Sequence, residues 1–128
     1  MPYNDPTCGF MDEERYIFHE QTGMAAIPYQ SQAYGLFQRL SNNTLDQLKP
    51  NIRAMFRLPA TIRRFERLRE VGRRTGLTVT QMVLGYMLSQ PFVTIPILGC
   101  KTPEHLADSL TAADVHLAPE DVRYLVHG

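Results

Sequence analysis

The chain has 128 residues, 44% of them hydrophobic and 20% charged, and 13 Lys+Arg offset 13 Asp+Glu, so the formal net charge is zero. That length suits one modest domain rather than two, and the composition is that of an ordinary globular protein. Neutrality argues against a nucleic-acid or anionic-membrane partner, which would favour a basic surplus, and no apolar run nears the roughly 18 residues of a membrane span.

In chain order, residues 1–10 are rich in Pro, Asn, Asp and Gly and read as an irregular lead-in, without the basic and apolar regions of a secretory signal. Cys8 and Cys100 match no metal or redox spacing, and two unpaired thiols suit a reducing cytoplasm. Asp12 can cap a helix running to about Thr22, with Gly23 as its stop. Residues 24–29 (MAAIPY) are the size of a buried strand, ended near Pro28 because proline cannot donate to a ladder. Residues 30–35 (QSQAYG) make a polar loop, and residues 36–59, which hold no period, predict a long loop with one or two helical turns.

The second half is more strongly patterned. Thr61 can cap a helix that sets Ile62, Phe65, Leu68 and Val71 on one face and ends at Gly76. Thr78 caps the next, where Val79, Met82, Val83, Tyr86 and Met87 form a stripe; Leu84 and Leu88 lie off it, so this helix is expected to be deeply buried. Residues 93–98 (VTIPIL) predict a second strand, apolar enough for a parallel sheet covered on both faces. Two helices follow, from Pro103 to about Ala113 and from Pro119 to about Val126, each with proline at its first position. Strands alternating with helices imply an α/β fold with a parallel sheet, yet two strands are too few to close one.

Residues 97–110 (ILGCKTPEHLADSL) concentrate the chemistry. Thr102 stands at an N-cap position, and the free N–H groups of the first turn, the helix dipole and Lys101 together offer a cradle for an anion such as phosphate. The alternative is a capped helix beside a solvated lysine, with His105 simply exposed. No glycine stands where a Walker-type loop requires one, and the four histidines, His19, His105, His116 and His127, have no metal-ligand spacing.

This stretch resembles the segment with which aldo/keto reductases hold the adenosine 2′-phosphate of NADP(H). The resemblance continues in register through TVTQMVLGYMLSQPFVTIPILG, IPYQSQAYGLF and AADVHLAPEDVRYL, and covers about residues 11 to 127. It implies the C-terminal part of a (β/α)8 TIM barrel, about its last two strands with their helices, forming a single partial domain over residues 1–128. It further implies that Lys101, Thr102 and His105 take the 2′-phosphate side, that Gly99 and Cys100 also bind the cofactor, that Asp108 and Ser109 lie near the adenine, and that Gln30, Ser31 and Gln32 line the pyrophosphate path. Gln30 replaces the family's usual serine, and Ser109 its commoner asparagine.

The catalytic Asp, Tyr, Lys and His of the family come from earlier strands. The chain's two lysines, Lys49 and Lys101, fall in a loop and in the cofactor segment, which leaves Tyr29, Tyr34 and Tyr86 without a lysine to activate them. The expectation is therefore a cytoplasmic NADP(H)-binding portion of a carbonyl/alcohol oxidoreductase with no catalytic residue and no metal of its own. Alone it is expected to be inactive; completed by an N-terminal chain or part, it would act on a small carbonyl substrate. The alternative is a non-enzymatic module that binds or assembles, including as a homo-oligomer that buries its strand edges.

Overall fold

The computed structural model describes residues 11–56 and 58–128; the expectations for residues 1–10, Cys8 included, lie outside them. Helix α1 (Glu13–Thr22) starts where the Asp12 carboxylate accepts the Arg15 N–H at 2.9 Å, and it ends at Gly23, whose φ of 68° is the left-handed value glycine tolerates. Tyr16 and His19 of α1 pack their rings on Phe92, which anchors this helix beside the second extended segment.

The two expected strands pair in parallel, through one bridge between Ala26 and Thr94. Ala26 N–H donates to Val93 O, Ile95 N–H to Ala26 O and Ile97 N–H to Pro28 O, at 2.8 to 2.9 Å, the slanted pattern of a parallel ladder. Coverage of this pair departs from expectation. Ala26 is buried against the helices, whereas the opposite face carries Ile27, Val93, Ile95 and Ile97, all 52–60% exposed. An all-apolar run indicates a strand that can be covered twice; among the described residues only one face has a cover.

Residues 36–59 are more helical than their sequence suggests. Helices α2 (Leu36–Ser41) and α3 (Pro50–Phe56) flank a short 3-10 turn at Leu45–Gln47. These pieces are too short for periodicity to reveal, and burial of Leu36 and Leu48, with Phe37 stacked on Phe65, holds the first of them in place. Helix α4 (Pro59–Thr75) begins two residues before the predicted cap: Leu58 is the N-cap and Pro59, pre-set for a helix, is the first residue, which puts Thr61 inside. Ile62, assigned to its inner face, is exposed, while Leu68 and Val71 are buried.

Helix α5 (Val79–Leu88) opens on a reciprocal capping box, in which the Thr78 side chain accepts from Gln81 N–H and the Gln81 side chain accepts from Thr78 N–H. No residue of α5 is exposed, as its all-round apolar pattern predicts, and Met82 is wholly inaccessible. Helices α6 (Pro103–Leu110) and α7 (Pro119–His127) complete the chain; α6 stops three residues before the predicted end, in a turn through residues 111–114.

The core joins Leu68 and Val71 of α4, Met82 of α5, Leu117 and Leu125 of α7 and its approach, with Tyr86 packed against them. Gly85 lets residues 115–117 cross α5 closely: a Cβ there would lie 2.6 Å from Val115 Cγ1. The ion pair of Arg74 with the buried Asp121, and a 2.6 Å hydrogen bond from the Tyr124 hydroxyl to Glu70, fasten α7 to α4. These contacts pack α4, α5 and α7 together behind the cleft described next.

Candidate functional site

The parallel pair ends in Gly99, Cys100 and Lys101, which lead into the N-terminus of α6. Thr102 has extended backbone angles, and its hydroxyl oxygen accepts the His105 N–H at 3.3 Å, the expected N-cap. Glu104 also attends this terminus. Its own backbone N–H, then Thr102, and then nearby His105 lower its carboxyl pKa below the ordinary value, so the first turn already has a negative group beside it.

Behind this turn lies a cleft of about 150 Å³ between α2, α5 and α6. Phe37, Val79 and Val83 give it apolar lining. His105, Asp108 and Ser109 line it too, with Gln32, Gly99 and Cys100. Six of the ten residues expected at a cofactor site thus come together. Lys101 and Thr102 adjoin them in sequence and are exposed, outside the cleft lining. Gln30 and Ser31 also lie outside it.

The polar groups of the cleft are held by each other. Gln32 Nε2 donates to Ser109 Oγ at 3.1 Å, and the Cys100 thiol lies 3.8 Å from that same oxygen. Thr80 Oγ1 donates to Asp108 Oδ2 at 2.6 Å. Ser31 instead donates to the carbonyl of Ile97, tying the loop after the first extended segment to the end of the second. That loop carries strain: Gln30, Ala33 and Tyr34 have φ of 53°, 46° and 59°, each a left-handed conformation unfavourable to a side chain. Hydrogen bonds from Ala33 N–H to Gln30 O and from Gly35 N–H to Gln32 O, together with the Gln32 and Ser31 contacts, keep it in this shape at the cleft's edge.

Thr80 and Phe37 are among the cleft residues that pattern reading passed over. Both lay within quoted stretches, TVTQ and YGLF, but nothing local to either distinguishes a cleft residue from a helix residue. The tyrosines are arranged for packing. Tyr86 sits against the core, and burial first, then nearby Tyr16, raise its pKa above the ordinary value, with Arg64 and Gln90 acting in the other direction. A proton-donating tyrosine needs the opposite shift. Among the described residues no three His, Cys, Asp or Glu side chains converge as a metal site would need, and no helix is long and apolar enough to cross a membrane.

Motif order, the parallel pair and the cleft beside α6 point to one class of oxidoreductase. Residues 10–127 match the model of the aldo/keto reductase family, and the chain belongs to that family. Among its relatives, a norsolorinic acid reductase of Emericella nidulans is 26% identical over 123 residues, covering 90% of this chain and 30% of that protein. An aryl-alcohol dehydrogenase of Pestalotiopsis microspora is 31% identical over 123 residues, with 91% and 30% covered. A versiconal hemiacetal acetate reductase of Aspergillus parasiticus is 26% identical over 125 residues, with 89% and 35% covered. The chain thus spans about a third of the length of these three relatives.

Proposed function

We propose that this chain forms the adenosine-side wall of an NADP(H) site, as the C-terminal part of a (β/α)8 barrel oxidoreductase working in the cytoplasm. The observation that carries this reading is the cleft itself, where Gln32 from one stretch meets Gly99, Cys100, His105, Asp108 and Ser109 from another far along the chain. At about 150 Å³ it is smaller than the roughly 300 Å³ at which whole-ligand cavities begin, so it suits one part of a dinucleotide. The donor set fits that part. Exposed Lys101 supplies a positive charge for a phosphate beside the first turn of α6, where the Thr102 hydroxyl oxygen accepts from His105 N–H. Phe37, Val79 and Val83 give an apolar wall for a flat base.

NADPH, when bound, supplies the hydride for carbonyl reduction. The residues of this chain bind and orient its adenosine end. Proton donation to a small carbonyl substrate falls to groups outside the described residues, because Tyr86 is committed to the core. Titration of the purified chain with NADPH, and with NADH in parallel, tests the reading. Tight NADPH and weak NADH binding is the expected result. Absence of any preference overturns the phosphate role. Turnover of NADPH with an aldehyde by this chain alone should not exceed background.

The exposed face of Ile27, Val93, Ile95 and Ile97 supports a second reading, in which the chain persists as an assembly module. On the first reading the remaining barrel strands, on the same or a complementing chain, cover that face. On the second, another copy covers it, and nucleotide has no effect on assembly.

A further inference from the structure

Residues 30–35 are held in a shape that their side chains resist. Gln30, Ala33 and Tyr34 all have left-handed φ, where Cβ crowds the following carbonyl, and none of them is the glycine such a position favours. A loop of this kind returns to ordinary backbone angles unless its surroundings hold it. Two side-chain hydrogen bonds to distant parts of the chain do so. Ser31 Oγ donates to the Ile97 carbonyl, and Gln32 Nε2 donates to Ser109 Oγ at 3.1 Å, across 77 residues of sequence. The second bond bears on the cleft. Gln32 and Ser109 both line it, so the bond ties the strained loop to α6 within the cleft lining. Ser109 is only 5% exposed, which leaves water a poor substitute for the amide.

We propose that the Gln32–Ser109 hydrogen bond is a latch: it holds residues 30–35 against α6 in the free chain and opens to admit nucleotide to the cleft. The inference rests on the cofactor reading above and adds a gating step to it. It also gives Gln32 a different role from the one its motif position implies, because its amide is committed to Ser109 rather than free for the pyrophosphate path. The closed and open states lie close in free energy: the latch is one neutral hydrogen bond, and opening it relieves the backbone strain that it sustains. Such a latch lowers the apparent affinity for nucleotide by the fraction of molecules in which the cleft stands open.

The test is stopped-flow binding of NADPH to the purified chain, to Gln32→Leu and to Gln32→Ala. Leucine keeps most of the bulk of glutamine and removes its donor; alanine removes both. Both variants should bind about two- to tenfold tighter than the parent, through faster association, the range set by one neutral hydrogen bond. Weaker binding by Gln32→Leu would make the amide a nucleotide contact, and tightening by alanine alone would make bulk rather than the bond the barrier. Either result overturns the proposal, as does unchanged binding. Amide hydrogen exchange without nucleotide reads the latch itself. Ala33 N–H donates to Gln30 O and Gly35 N–H to Gln32 O, and both protons should exchange faster by a similar factor in Gln32→Leu. Unchanged protection there overturns the latch and leaves the cofactor reading standing. A parent and variants that all fail to bind NADPH refute the cofactor reading, and the inference with it.

Discussion

Replacing Gly85 by alanine tests how α5 is held behind the cleft. In an exposed helix this change would stabilise by about 1 kcal/mol, since glycine is the poorer helix former. Here the added Cβ would lie 2.6 Å from Val115 Cγ1 and 3.3 Å from Val115 Cβ. The closer distance is about 1 Å short of ordinary carbon contact. Val115 cannot easily retreat: it is branched at Cβ, and the segment is fixed two residues on, where Leu117 N–H donates to Ser89 Oγ at 2.7 Å. Overpacking of this kind costs about 1 to 3 kcal/mol, so the net loss should fall between zero and about 2 kcal/mol. Because two opposing effects overlap, the sharper readout is a double-mutant cycle with Val115→Ala, followed by urea denaturation. Removing the two methyl groups relieves the overlap, so Gly85→Ala/Val115→Ala should be more stable than the sum of the single changes by at least 1 kcal/mol. Additivity within about 0.5 kcal/mol would refute the reasoning and place residues 115–117 further from α5.

Three more outcomes follow from the same geometry. Lys101→Ala should weaken NADPH binding by up to about tenfold at low salt and leave NADH binding unchanged, an effect that added salt reduces, as titration at two ionic strengths would reveal. The raised pKa of Tyr86 means that the unfolded chain loses its phenol proton first as pH rises. Its stabilising share is therefore complete below the unfolded value of about 10 and declines above it, and Tyr86→Phe should flatten the alkaline fall in thermal stability. Ile95→Lys, on the exposed face of the parallel pair, should change the stability of the isolated monomer by no more than about 0.5 kcal/mol. In sedimentation the same change should abolish any self-association through that face, and a large loss of monomer stability would mean the face is packed within the chain.

Much of the candidate site was legible because its signals are local. Thr102 and Pro103 announce the start of α6 through a side-chain oxygen and a fixed φ, and those features act over three residues whatever surrounds them. His105, Asp108 and Ser109 then follow at fixed helical spacing, with Cys100 two residues before the cap. Gln32 was reachable through its motif. Thr80 was not, because its partner lies 28 residues away and no pattern within α5 distinguishes a hydroxyl that holds Asp108 from one that caps or packs. Gln30 and Ser31 show the reverse. Motif position assigned them to the cofactor path, whereas loop geometry gives Ser31 to the Ile97 carbonyl and leaves Gln30 outside the cleft.

The sequence by itself determined the helix starts and stops at Asp12, Gly23, Gly76, Thr78, Pro103 and Pro119, the burial of α5, and the two extended segments. Each depends on a capping group, a fixed or left-handed φ, or a run of apolar side chains, all readable within a few residues. Tertiary structure alone decided the rest: that α2 and α3 form where no period exists, and that only one face of the parallel pair is covered. Those outcomes depend on Leu36, Leu48 and Phe37 finding partners far along the chain, and on which side of a doubly apolar strand the helices settle. An alternating backbone offers both faces of such a strand equally, so its own residues cannot choose between them.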